Sequence, residues 1–174
     1  VSVSAEAHRL GVSTTVHACL GADIVHMHPA CDGAAIGAAS MADFQHVCKR
    51  VHDLDGGVWI NVGCAVVLPE VFLKAVSVAI NLGADLSNMM TANLDMIRQY
   101  RAETNVVRRP PGTGLTIIGQ HELLLPLLRQ AFAALQWSLG IRKTFLLGPK
   151  HSFEIEHSWG RTVRTAIRDA TVHT

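Results

Sequence analysis

The sequence is short of several things, and each shortage removes a class of answer. Aromatic residues make up only 5% and charged residues 17% of a chain that is 49% hydrophobic. That balance suits an α/β interior of Val, Leu, Ile and Ala better than a disordered chain or a coiled coil. An excess of one charge is also missing. Fifteen basic and fourteen acidic residues give a net charge of +1, with no long basic face interleaved with aromatics, so nucleic acid is not an expected partner. No apolar run reaches the roughly 18 residues that a membrane span needs, so a soluble protein without a membrane partner is expected. The cysteines Cys19, Cys31, Cys48 and Cys64 show no CxxC spacing, and they are not expected to follow a signal peptide. Reduced thiols in a cytoplasmic protein are the simplest reading. Neither GxGxxG nor GxxxxGK[ST] occurs, so an ordinary Rossmann fingerprint or P-loop is not supported.

What is present is alternation. At 174 residues the chain suits one domain. Apolar runs at Thr14 to Leu20 and Ala22 to Met27 read as short strands. Ser40 reads as the N-cap of a helix to about Leu54, because Met41, Phe44, Val47, Cys48 and Val51 recur at three- and four-residue spacing. Gly56-Gly57 closes it, and Val58 to Val62 is a buried strand. Pro69-Glu70 opens a helix that stops at Gly83. Leu86 to Thr91 reads as a strand ending at the polar group Thr91, Asn93 and Asp95, and Ala102 to Gly114 as a loop. Leu115 to Ile118 is a last strand, followed by a helix from His121 to Leu135 that Pro126 kinks or opens. Strand and helix in turn predict a parallel sheet with right-handed crossovers. Residues 1–135 form this domain, and 136–174 read as a tail or an added helix. A chain that begins at Val1 and enters a strand pattern almost at once is expected to be truncated at its N-terminus.

In open parallel sheets, ligands sit outside the carboxyl ends of the strands. The loops after Met27, Val62, Thr91 and Ile118 should therefore gather, and they hold the residues with chemistry. The first, "HMHPACDGAAIG", carries His26, His28, Cys31, Asp32, Gly33 and Gly37. His26 and His28 share a strand face and with Cys31 or His121 could ligate zinc, but the paired spacing of a structural zinc site is missing, so no metal is expected. The second loop runs into Gly63 and Cys64 before a helix whose first N–H groups suit an anion. The last brings Gln120, His121 and Glu122. The His121-Glu122 pair could move a proton while Asp95 orients it or binds an amine, although Glu122 is equally at home in the first turn of a helix.

Laid out in order, four segments resemble the deoxyhypusine synthase family, in particular its bacterial and archaeal relatives of uncharacterised activity. These are "PACDGAAIG", "GGVWINVGCAVVLPEVFLKAVSVAINLGAD", "MTANLD" and "GQHELLLPLLRQAFA", spanning about Ile24 to Ala133. The resemblance implies a three-layer, Rossmann-like parallel sheet of the kind shared with sirtuins, NAD bound at its carboxyl edge, and a homo-oligomer, either a dimer or a tetramer. It also implies an NAD-dependent transferase acting on an amine such as a polyamine. By matching segments, Asp32 lies near the polyamine or nicotinamide, with His28, His121 and Glu122 as the other candidate catalytic groups. Gly33, Gly63, Cys64, Thr91, Ala92, Asp95 and Gln120 fall to the cofactor. The family's catalytic lysine has no counterpart, since the interval that holds it reads "RRPPGTGLTIIG". Cys64 replaces the second glycine of the Gly-rich loop, and Gln120-His121-Glu122 replaces Asp-Ala-Ser. Two other classes stay open: a non-catalytic oligomerisation module, and a metal-assisted hydrolase using His26, His28 and His121.

Overall fold

A computed structural model describes residues 2–138. Its centre is a sheet of three parallel strands, β1 (Val58–Val62), β2 (Met90–Asp95) and β3 (Thr113–Ile118), in the order β1-β2-β3. Register pairs Val62 with Leu94 and Leu94 with Ile117. Because side chains alternate along a strand, this register fixes two faces. Trp59, Asn61, Thr91, Asn93, Asp95 and Thr116 share one, and Val58, Met90, Ala92, Leu94, Leu115 and Ile117 share the other.

The first face is covered by α3 (Val67–Asn81), by the short helix α4 (Tyr100–Ala102) and by a π-helix (Glu103–Arg108) that continues α4. Trp59 stacks on Phe72 of α3 with ring centroids 4.3 Å apart. Such a pair adds about 1 kcal/mol to the burial of two large rings. The π-helix backbone lies directly on β3, since a Cβ on Gly114 would sit 2.0 Å from the Val107 carbonyl oxygen. Only glycine permits that approach. Outside α3 packs α2 (Gly33–His52), burying Val47 and Val51 in one cluster with Phe72, Ala75, Val76, Ala79, Leu86, Met89 and Val106. The second face receives α5 (His121–Ser138), whose Phe132 packs with Met90, Val58, Leu115 and Ile117. The arrangement is thus the expected α/β architecture at a coarse level: a parallel sheet with helices on both sides.

Several boundaries differ from the sequence reading, each for a physical reason. Helix α2 starts seven residues before Ser40. Asp32 is its N-cap, accepting the N–H groups of Ala34 and Ala35 at 2.9 and 3.2 Å, and Lys49, Arg50 and His52 in its last turn favour the helix dipole. The early turns are Gly and Ala, which carry no apolar periodicity to read. The expected strands at Thr14–Leu20 and Ala22–Met27 do not form. Their N–H groups go to local acceptors instead: Val16 to Asp43 Oδ2 at 2.7 Å, Cys19 to Asp23 Oδ2 at 2.8 Å, and Ala22 and His26 to the carbonyls of Cys19 and Asp23 at 2.9 and 3.2 Å, while Gly21 between the segments donates to His26 Nδ1 at 3.2 Å. Ile24–Met27 is a 3₁₀ turn, and the chain opens with helix α1 (Val3–Arg9), not a strand pattern.

Strand β2 lies four residues later than expected, so its polar residues are inside it. The expected loop Ala102–Gly114 is mostly helical, with a short turn only after Arg108. Pro126 lies within α5, which begins at His121. The tail expected from residue 136 lies outside the described residues beyond Ser138. No helix among the described residues is long and apolar enough to cross a membrane.

Candidate site at the carboxyl edge of the sheet

Three of the four expected loops meet at one edge, after Val62, Asp95 and Ile118. The edge begins with a glycine that has a reason to be one. Gly63 has φ +62°, its N–H continues the ladder to the Leu94 carbonyl at 3.0 Å, and a Cβ on it would meet His121 Cε1 at 3.1 Å. The left-handed turn ends β1 and lets the histidine ring lie over the backbone. His121 Nε2 lies 3.3 Å from the Leu94 carbonyl oxygen. A carbonyl only accepts, so Nε2 is the donor in this contact.

Cys64 follows Gly63 and turns the chain towards α3. Its sulfur accepts the N–H of Leu68, the second residue of α3, at 3.3 Å, while Val66 at the N-cap offers no side-chain acceptor. The Cys64 carbonyl accepts a 3.0 Å hydrogen bond from Asn61 Nδ2, which also donates to Asn93 Oδ1 at 2.7 Å. Asn93 and Asp95, 0% and 5% exposed, each keep one polar atom without a hydrogen-bond partner: Asn93 Nδ2 and Asp95 Oδ2. The other carboxylate oxygen of Asp95 accepts the Met96 N–H at 2.7 Å. Buried polar atoms are paired in the great majority of cases, because an unpaired one costs about 1 to 3 kcal/mol. One unfilled donor and one unfilled acceptor thus lie on the same strand face at the carboxyl end of β2. Sequence reasoning places Asn93 in the polar group of the third loop and misses Asn61. The signal for Asn61 is an amide in the middle of an otherwise apolar strand.

Around this polar centre, ion pairs fasten the covering helices. Glu70 in the first turn of α3 takes Lys74 at 2.9 Å, Asn105 at 2.8 Å, and Arg101 of α4. The Lys74 and Arg101 charges hold its carboxyl at about 2, well below its ordinary value. Glu103 receives the Thr116 hydroxyl at 2.7 Å and Arg108 at 3.2 Å. These contacts join β3 and α3 through the π-helix. Val62, Met96, Ile97, Ile118 and Leu123 rim the edge as exposed apolar side chains.

The other expected site residues are placed as follows. Gln120 precedes α5, and its carbonyl accepts the N–H groups of Leu123 and Leu124 at 3.0 and 2.9 Å. Glu122 stands in the first turn of that helix. Thr91 is buried near the start of β2, its hydroxyl donating to the Val106 carbonyl at 2.6 Å, and Ala92 is buried on the α5 face. Asp32 and Gly33 form the start of α2. His28 Nδ1 accepts the Ala30 N–H at 3.1 Å. Among the described residues no group of three or more His, Cys, Asp or Glu side chains is placed to hold a metal ion, so His26, His28 and His121 do not form a metal centre. A separate apolar cleft of about 520 Å³ opens between α2 and α3, lined by Met41, Phe44, Cys48, Val78 and Leu82 among others. None of the edge residues borders it.

No protein-family model, curated protein or solved structure matches the chain.

Proposed function

We propose that the chain is a ligand-binding α/β domain that takes NAD or a related nucleotide at the carboxyl edge of its sheet, the binding mode that the resemblance to the deoxyhypusine synthase family implies. The observation that carries this reading is the pair of buried, unfilled polar atoms, Asn93 Nδ2 and Asp95 Oδ2, beside the start of α3. A carboxylate at the end of a parallel strand is the group that pairs with ribose hydroxyls, and a helix N-terminus favours a pyrophosphate. The free oxygen of Asp95 also suits an ammonium group, so an amine-containing small molecule of the polyamine kind is the proposed co-substrate. A transferase without the family's lysine would need a different covalent carrier. Self-association into a dimer or tetramer would cover the apolar rim, and the setting is cytoplasmic.

Isothermal titration of the full chain with NAD, NADH, ADP-ribose and adenosine tests the reading. Binding of at least the adenosine-containing ligands is expected, and Asp95→Asn weakens it roughly tenfold or more, the effect of losing a hydrogen bond to a charged acceptor. Absence of binding by all four at millimolar concentration would remove the nucleotide from the proposal.

A further inference from the structure

The sheet has a second unfilled boundary, along the outer flank of β1. Met90 donates to the Gly57 carbonyl at 2.9 Å, and Gly63 to the Leu94 carbonyl at 3.0 Å. With Val58 opposite Met90 and Val62 opposite Leu94, this phase turns the backbone groups of Gly57, Trp59, Asn61 and Gly63 towards β2, and those of Val58, Ile60 and Val62 outward. Among the described residues β2 is the one strand that pairs with β1, so the outward N–H and C=O groups meet no neighbouring strand. We propose that a second copy of the chain fills this flank. Its β1 runs antiparallel to this β1 about a two-fold axis at Ile60, and one sheet continues across both protomers.

The strand itself favours such a partner. Val58-Trp59-Ile60-Asn61-Val62 places apolar residues on both faces, and no charged residue occurs from Gly56 to Pro69. Strands of that kind belong in the interior of a parallel sheet, whereas free edges are ordinarily guarded by charge, proline or a bulge. The opposite flank of the sheet is guarded in this way, because the chain enters β3 through Arg108, Arg109, Pro110 and Pro111. The outward groups of β1 are also self-complementary. In an antiparallel pair centred on Ile60, Ile60 meets Ile60 and Val58 meets Val62, and each pair exchanges both of its N–H···O=C bonds. The side chains of these residues lie on the α5 face, where Val58 and Ile60 are half-buried and Val62 is 42% exposed. Pairing sets them side by side across the axis and removes apolar surface from water. The axis stands perpendicular to the sheet, so α5 of both protomers stays on one side and the contact closes at two copies. A β1-to-β3 contact would be head-to-tail and would leave an edge open at each end. The β1 pairing gives the self-association proposed above a defined surface, and it uses neither of the unfilled polar atoms that carry the nucleotide reading. A single strand pair is a small interface, so association in the micromolar range is expected.

The test combines sedimentation velocity of the full chain with residue-resolved hydrogen exchange by mass spectrometry, each at about 100 μM and about 1 μM, concentrations that bracket that range. A dimer is expected at the higher concentration. There the Ile60 amide should exchange about tenfold more slowly than after dilution, while Asn61, whose N–H faces β2, changes far less. Ile60→Pro removes the outward N–H without touching the ladder to β2, and should leave a monomer with its circular dichroism spectrum kept. A monomer at the higher concentration overturns the proposal, whether the Ile60 amide exchanges freely or is held by the chain's own residues. So does a dimer in which dilution leaves Ile60 unchanged, or one that a folded Ile60→Pro retains. The exchange comparison is made on the unsubstituted chain, so a variant that fails to fold does not shelter the proposal. Failure of nucleotide binding moves none of these readouts.

Discussion

The two halves of the sheet face beneath α3 are built on opposite plans. Towards the amino end it is apolar: Trp59 stacks on Phe72, and Met89 and Val106 close around them. Towards the carboxyl end, two rungs further along the same strands, the residues are Asn61, Asn93, Asp95 and Thr116, and two of their buried atoms have no partner. The first half secures the fold through burial. The second half forgoes hydrogen bonds that an apolar or fully paired layer would not have lacked. Such a trade is expected where binding, and not stability alone, has shaped the residues.

Substitutions separate the two plans by the size and sign of their effects. Gly114→Ala drives a methyl into the Val107 carbonyl and should cost more than about 5 kcal/mol, leaving most of the chain unfolded by circular dichroism. Phe72→Ala, which empties the centre of the apolar half, should lower stability by about 3 to 5 kcal/mol in urea titration. Asp95→Asn, in the polar half, should act with the opposite sign. Removing a buried charge with one unfilled oxygen is expected to raise stability by about 1 kcal/mol while weakening ligand binding. Asp32→Ala, outside both halves, should cost about 1 kcal/mol, because it removes the acceptor of two N–H groups at the start of α2.

The smallest effect concerns pH. The carboxyl of Glu70 is held at about 2, against an ordinary value of 4.5. Its ion pairs therefore contribute fully above about 4.5, and the contribution is lost as pH falls from there towards 2. Thermal melts across that window should show a loss that Glu70→Gln reduces, with the difference vanishing at the acid end.

The apolar half of this face was easy to read from sequence and the polar half was not, for one reason. Val58 to Val62 and Leu115 to Ile118 are runs bounded by glycine and apolar except for Asn61 and Thr116, and Val67 to Asn81 carries a clear helical period, so β1, β3 and α3 were legible within a few residues. In β2 the alternation Thr91, Asn93, Asp95 resembles a loop, and the apolar Leu86 and Met89 just before it resemble a strand. The buried polar stripe that marks the candidate site is what displaced the reading. The N-terminal region misled in the opposite way. Thr14–Leu20 and Ala22–Met27 have strand-like composition, but among the described residues from Ser2 to Cys31 none is buried, so no sheet neighbour rewards the extended pairing. The convergence of the loops holding Gly63, Asp95 and His121 was legible, because the ends of parallel strands must share an edge. The engagement of His28 and Asp32 in local backbone contacts was not.

The most direct test of a prepared carboxyl edge is a map of amide chemical shifts as ADP-ribose is titrated into the ¹⁵N-labelled chain. Changes concentrated at Gly63 to Val66, Asp95 to Ile97 and Gly119 to Glu122 are the predicted result. Changes centred on the α2–α3 cleft at Phe44, Cys48 and Val78, with the edge unmoved, would contradict it.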